Sequence, residues 1–260
     1  MKIKTTHYKL DKVNTRINGF KMAVLADLHD TVYGKDNSDL CELINNEKPN
    51  IILIAGDLIT GLKGREYAPA ISLLKKLASK YPVYYGLGNH EVRNYDNTKK
   101  YMEEIKKISG VHILDDDCIC HEIYNDINGE TSKINIYGLT IGREFYSKKI
   151  NIKMPESYVE DKLGIKKEDG VCNILLAHNP DYFPNYVYWG ADLVFSGHLH
   201  GGLVRLPIIG GILSPKLCLF PKYDKGRFDS EGTTMIVSAG LGTHTVPRIF
   251  NPPELLVVEF

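Results

Sequence analysis

The chain has 260 residues, 43% hydrophobic and 25% charged, a balance that suits one large domain with a sizeable core. Its 32 Lys and Arg residues match 32 Asp and Glu, so no general electrostatic attraction to nucleic acid or an anionic membrane is expected. No apolar run reaches the length of a membrane span, and the first residues lack the apolar core of a signal peptide. A cytoplasmic location is therefore expected, with peripheral attachment to a membrane as the alternative. The five cysteines are odd in number and scattered, and Cys118 and Cys120 are too close for zinc-ribbon spacing, so all are expected to be reduced thiols.

In chain order, residues 20–26 read as a buried strand running into Asp27-Leu28-His29-Asp30. Residues 37–47 carry Leu40, Leu43 and Ile44 on one helical face, with Ser38 as the expected cap. A second apolar strand at 51–55 ends in Gly56-Asp57, and a second helix is expected over 66–80. The strand at 83–87 then delivers Gly88-Asn89-His90-Glu91. This alternation predicts a largely parallel sheet that presents ligands at the carboxyl ends of its strands. A third helix is expected over 97–109, followed by short strands within 111–140 and a turn at 125–129. Residues 143–170 are charged, aperiodic and punctuated by Pro155 and Gly164, which predicts a surface excursion. Strand pattern resumes at 173–177, ending in His178-Asn179-Pro180, and at 192–195, ending in Ser196-Gly197-His198-Leu199-His200. A long Gly- and Pro-bearing loop over 205–232 precedes strands at 234–239 and 255–260. The whole of 1–260 reads as a single domain, with 143–170 and 205–232 framing a pocket.

Polar residues that terminate apolar strands form one set: Asp27, His29, Asp57, Asn89, His90, His178, His198 and His200. Five of the nine histidines belong to it. Imidazole and carboxylate without thiolate suit zinc, iron or manganese. In an extended chain, Asp27 and His29 share one face, as do His198 and His200, so each pair can grip an ion from one segment. The set exceeds what one ion needs and fits two that share a carboxylate, with Asp57 as the natural bridge. Two ions about 3.5–4 Å apart clamp a phosphoryl group and activate a bridging water for in-line attack. His90, beside a ligand but pointing elsewhere, is then placed to assist the leaving group.

At these residues the chain resembles the calcineurin-like metallophosphoesterases. The family's five motifs stand here, in order, as Asp27-x-His29, Gly56-Asp57, Gly88-Asn89-His90-Glu91, Ala177-His178 and Gly197-His198-x-His200. Further similarity, through Gly201-Gly202, Arg205-Leu206-Pro207, 221–226 and 251–254, points to the bacterial phosphodiesterase-like branch. The resemblance implies an α/β fold of four layers, two central mixed β-sheets flanked by helices. It implies one metal ion held by Asp27, His29, Asp57 and His200, a second held by Asp57, Asn89, His178 and His198, and His90 as the catalytic histidine. The departures are Ala26, where a serine often stands, Leu203, where glutamine is usual, and the lack of a membrane anchor or export signal.

The expected activity is thus binuclear metal-dependent phosphohydrolysis, with phosphodiesters preferred over monoesters on the branch resemblance alone. The ions would be Mn, Fe or Zn, divalent or trivalent, and the substrate a small-molecule or lipid-linked phosphoester. No specific nucleic-acid or protein partner is indicated. Arg143 and His244 are the candidate substrate contacts, and Glu91 is expected to support the site without being a ligand. The aromatics from Tyr182 to Trp189 read as helix packing, and Lys222, Lys225 and Arg227 as a solvated charged loop. The alternatives are a phosphomonoesterase with the same metal core and a non-catalytic interaction scaffold. A metallo-β-lactamase-like site is disfavoured because Gly201-Gly202 stands where an Asp-His is required, and a serine hydrolase because no Gly-x-Ser-x-Gly occurs.

Overall fold

The computed structural model describes residues 2–10, 17–65, 67–93, 96–124, 130–147, 152–167, 170–202, 204–206, 210–213, 220–242 and 248–260. Two six-stranded sheets, counted among these residues, lie face to face. Numbered in chain order, the first sheet runs β1 (Lys4–Lys9), β14 (Glu254–Glu259), β2 (Lys21–Leu25), β3 (Ile51–Ala55), β4 (Val83–Gly86) and β5 (Val111–Leu114). All its neighbouring pairs are parallel except β14 with β2. The second runs β12 (Gly226–Ser230), β13 (Thr233–Val237), β9 (Leu193–Ser196), β8 (Cys172–Ala177), β7 (Thr131–Leu139) and β6 (Asp117–Tyr124). It is parallel inside and antiparallel at both edge pairs.

Three apolar layers hold the sheets together, and the two-residue period of a strand sorts side chains between them. In β2, Met22 and Val24 face the second sheet while Ala23 and Leu25 face helices. Ile51, Leu53 and Ala55 of β3 likewise face inward, and Ile52 and Ile54 outward. In β8, Ile174 and Leu176 enter the inter-sheet core and Leu175 and Ala177 the opposite layer. Burial on both faces is why these strands read as unbroken apolar runs. Each such Leu or Ile contributes about 1.5–3 kcal/mol relative to an exposed position. Helices α1 (Ser38–Glu47), α2 (Ala68–Ala78) and α3 (Asp96–Ile105) cover the first sheet. Helices α4 (Tyr158–Leu163) and α5 (Phe183–Trp189) cover the second, completing the four expected layers. Among the described residues no helix is long and apolar enough to cross a membrane.

The two sheets meet closely at two glycines. A Cβ built on Gly138 of β7 would lie 2.3 Å from Leu114 Cβ and 2.4 Å from the Leu114 carbonyl oxygen; one on Gly86 of β4 would lie 2.7 Å from Leu176 Cβ. Backbone cannot yield as a flexible side chain can, so Gly138→Ala is expected to destabilise the fold by about 1–3 kcal/mol or more through overpacking. Urea unfolding checks this, and an unchanged midpoint would contradict it.

Several expected elements differ in detail. β1 was not foreseen: its residues Lys4 to Lys9 are all exposed or half-buried, with no apolar run to mark them. The expected loop over 205–232 contains β12 and the hairpin of β10 (Val204–Leu206) with β11 (Gly210–Leu213). β12 is an edge strand with exposed Arg227 and Asp229 paired along it, so it reads as polar loop. Lys225 is not a solvated charge either, because its Nζ lies 2.6 Å from Glu254 Oε1. Ser38 begins α1 without capping it; Asn37, at φ 62, holds the cap position and accepts the Tyr33 N–H at Oδ1. The 143–170 segment lacks strands among its described residues, as expected, yet buries Phe145, Met154 and Val159 against the second sheet. Phe183, Tyr186 and Trp189 are buried in the same layer, which makes α5 a packing helix. The expected turn at 125–129 lies outside the described residues.

Candidate metal centre

The carboxyl ends of β2, β3 and β4 in one sheet meet those of β8 and β9 in the other. Asp27 and His29 follow β2, Asp57 follows β3, Asn89 and His90 follow β4, His178 follows β8, and His198 and His200 follow β9. A hydrogen bond across the sheets, from His178 Nδ1 to the Ala55 carbonyl at 2.6 Å, ties the two groups together. Gly88 and Gly197 permit the approach: a Cβ on either would fall within 2.4 Å of a carboxylate oxygen of Asp57 or Asp27 respectively.

The extended alternation expected for Asp27-x-His29 and His198-x-His200 is not how these side chains converge. Asp27 and His29 have φ 50, Asp57 φ 57, His198 φ 68 and His200 φ 51, all left-handed backbone. Such φ values are uncommon outside glycine, and they collect where the surroundings enforce them. Here the enforcement is visible in hydrogen bonds. The Asp27 N–H donates to Gly56 O, His29 N–H to Asp57 O, and His198 N–H to the Asp27 carboxylate at 3.0 and 3.2 Å.

The donor atoms cluster tightly. His178 Nε2 lies 2.9 Å from Asp57 Oδ2 and 3.7 Å from Asp27 Oδ1. His29 Nε2 is 3.2 Å from His200 Nε2, 3.6 Å from Asp27 Oδ1 and 3.9 Å from Asp57 Oδ2. His200 Nε2 is 3.6 Å from Asp27 Oδ1, and His90 Nε2 is 3.7 Å from Asp57 Oδ2. Among the described residues, three sets have ligand atoms mutually within 4.8 Å: Asp27, His29 and His200; His29, Asp57 and His90; Asp57, His178 and His198. Ligands about 2 Å from a common ion lie roughly 3 Å apart, so these spacings suit metal ions. Carbonyls hold the other ring nitrogens: His90 Nδ1 donates to Thr60 O, His178 Nδ1 to Ala55 O and His200 Nδ1 to Gly242 O. Each of these rings thereby presents Nε2 to the cluster, the arrangement that orients a metal-ligating histidine.

Asn89 supplies an independent test of fit. Its Oδ1 is buried with no hydrogen-bond partner among the described residues, although a buried amide oxygen normally accepts one. A cation would satisfy it, and the surrounding oxygen and imidazole donors match such an ion chemically.

Burial would raise the Asp57 and Asp27 carboxyls, but the imidazoles outweigh it and hold both well below the usual range, His178 acting foremost on Asp57 and His200 on Asp27. Burial acts to lower His178, yet its partner Asp57 carries it up to about 10. His200 is pushed down to about 3 by burial, and burial lowers His90 against the pull of Asp57. His178 must therefore lose a proton before it can serve as a ligand.

Glu91 supports rather than lines the cluster. Its carboxylate accepts N–H bonds from Asp57 (2.9 Å), Gly88 (2.9 Å) and Ile59 (3.3 Å) and the Tyr85 hydroxyl (2.8 Å). Burial and the charge of Asp57 push it up to about 7. The His90 N–H donates to Asp57 Oδ1 at 2.9 Å, leaving Oδ2 to the cluster.

Two residues in contact with the cluster were not singled out as site members from the sequence. Arg248 is buried with Nη2 3.3 Å from His200 Nδ1 and donates to the Gly240 and Gly242 carbonyls. Tyr146 sets its ring edge-on to His198, with centroids 4.9 Å apart. Neither stands at the end of an apolar run, so the strand-end pattern finds neither. Arg143 is exposed on the one-turn helix Arg143–Tyr146; His244 lies outside the described residues.

A two-sheet sandwich whose strand ends gather buried carboxylates and imidazoles is built to hold metal ions, and its family match makes it a metal-dependent phosphoesterase. The sequence profile of the calcineurin-like phosphoesterases matches residues 20–202, and the chain belongs to that family, whose members use divalent metal ions. An uncharacterized metallophosphoesterase of Bacillus subtilis, YkuE, is 27% identical over 98% of this chain and 84% of its own length. The UDP-2,3-diacylglucosamine pyrophosphatase LpxG of Chlamydia muridarum is 22% identical over 100% of this chain and 89% of its own. Among solved structures, the NAD nucleotidase NadN of Haemophilus influenzae superposes with a TM-score of 0.51 at 15% identity. It matches 85% of this chain and 50% of that one, a likeness of fold.

Proposed function

We propose that the protein hydrolyses phosphodiester or diphosphate bonds at a binuclear centre. Asp27, His29, Asp57 and His200 hold one ion, and Asp57, Asn89, His178 and His198 the other. The observation that carries this reading is the buried convergence of Nε2 atoms on two carboxylates, beside the partnerless Asn89 oxygen. The oxygen and nitrogen donors favour Mn, Fe or Zn. When bound, such ions supply Lewis-acid polarisation of the phosphoryl oxygens and an activated water.

The chain's own residues do the rest. Asp57 places one oxygen in the cluster while His90 N–H holds the other. Thr60 O holds the His90 Nδ1–H, so Nε2 faces the cluster and takes up a second proton before it passes one to the leaving oxygen. Glu91 keeps the Asp57 and Gly88 backbone in register through its N–H bonds. Arg143 and His244 remain the proposed contacts to the substrate.

The proposed substrate is a small-molecule or lipid-linked phosphoester whose phosphorus carries two substituents. Support comes from LpxG, which by its name is a pyrophosphatase acting on UDP-2,3-diacylglucosamine. A cytoplasmic location belongs to the same proposal, supported by four free cysteines among the described residues.

Protein purified without chelator is expected to contain two metal ions per chain by elemental analysis. It should turn over a cyclic nucleotide, a nucleic acid or a nucleotide-linked lipid faster than a phosphomonoester. A metal content near zero after reconstitution with manganese would end the binuclear reading. Faster turnover of the monoester would reassign the substrate class.

A further inference from the structure

Tyr146 closes the one-turn helix that follows β7, next to the strand that ends in His178. Its ring meets His198 edge-on at 4.9 Å and lies 6.2 Å from that of His178. The residue as a whole is half-buried, but its hydroxyl oxygen is fully buried and has no hydrogen-bond partner among the described residues. The neighbouring tyrosines are different. Tyr158 OH accepts the Gly142 N–H at 3.0 Å, Tyr182 OH reaches the Phe145 carbonyl at 3.0 Å, and Tyr186 OH donates to Asn179 O at 2.6 Å.

A phenylalanine would supply the same ring packing at position 146 without burying a polar atom. A buried hydroxyl normally finds a partner, and one left without it calls for an explanation. Tyr186 foremost, and then the Asp57 carboxylate, lie within electrostatic reach of the oxygen. Asn89, whose Oδ1 is likewise buried and partnerless, belongs to the same cluster of strand ends.

We infer that Tyr146 is a further substrate-binding residue, its hydroxyl donating a hydrogen bond to an anionic phosphoryl oxygen held beside His178 and His198. This inference rests on the proposed phosphoesterase reading. It assigns a neutral donor to the side of the cluster formed by the second sheet, where His178 and His198 otherwise present only ring nitrogens.

The test compares the full wild-type chain with Tyr146→Phe, both reconstituted with manganese, using inorganic phosphate as the probe in calorimetric titration. Metal content by elemental analysis and the thermal midpoint are measured alongside. The expected result is unchanged metal content and midpoint, with phosphate binding weakened about 10- to 100-fold, as for one hydrogen bond to a charged acceptor. Equal phosphate affinity in the two proteins would overturn the inference while leaving the phosphoesterase reading intact. A variant that loses metal or melts earlier would overturn it too, by making Tyr146 a structural residue. A wild-type chain that takes up neither manganese nor phosphate would remove the underlying reading, a different outcome from either.

Discussion

Asp57→Asn is expected to cost at least about 10³-fold in turnover and to leave the protein short of two ions per chain. The argument is geometric. Asp57 is buried, its Oδ1 is held by the His90 N–H, and its Oδ2 lies 2.9 Å from His178, 3.7 Å from His90 and 3.9 Å from His29. It appears in two of the three ligand clusters, and in the proposed centre it is the residue both ions share. An amide of the same shape retains one carbonyl oxygen but carries no charge to offset two cations. Lewis-acid stabilisation is worth several kcal/mol, and each 1.36 kcal/mol is a factor of ten in rate. Elemental analysis and steady-state turnover check the expectation. Two ions retained with turnover within tenfold of wild type would show that Asp57 bridges nothing.

His90→Ala is expected to keep both ions and still lose about 10²–10⁴-fold in turnover of a diester with a poor leaving group, the range typical of general acid–base catalysis. Nδ1 is committed to Thr60 O, so Nε2 alone faces the site. The loss should shrink with an aryl leaving group that departs without a proton, which separates acid catalysis from general damage. His90 also belongs to a ligand cluster with His29 and Asp57. Loss of metal from the variant would therefore make His90 a ligand, and wild-type turnover would remove it from the mechanism.

Legibility in the sequence followed burial. Strands such as β3 and β8, apolar on both faces, announced themselves as continuous runs. The edge strands β1 and β12 did not, because their exposed positions carry charged residues that read as loop. The strand-end residues stood out because Asp57, His90 and His178 follow runs where a polar group has no packing role. Tyr146 stayed hidden because nothing in its one-turn helix marks which side chain turns inward. The same limit applies to the backbone: an Asp-x-His spacing is compatible with extended chain, yet Asp27 and His29 are both left-handed.

By itself, the sequence determined which donors are available, their order along the chain, and the strand each one follows. Those features depend on local hydrophobicity and on the chemistry of oxygen and imidazole ligands. Only the tertiary structure decided that β2, β3 and β4 lie in one sheet, β8 and β9 in another, and that their carboxyl ends meet. It also decided which ring nitrogen each histidine presents. That choice is made by carbonyls distant in sequence, Ala55 for His178 and Gly242 for His200, and no local pattern encodes them. The physical reason is that ligand geometry is set by hydrogen bonds between segments that become neighbours only after the two sheets have packed.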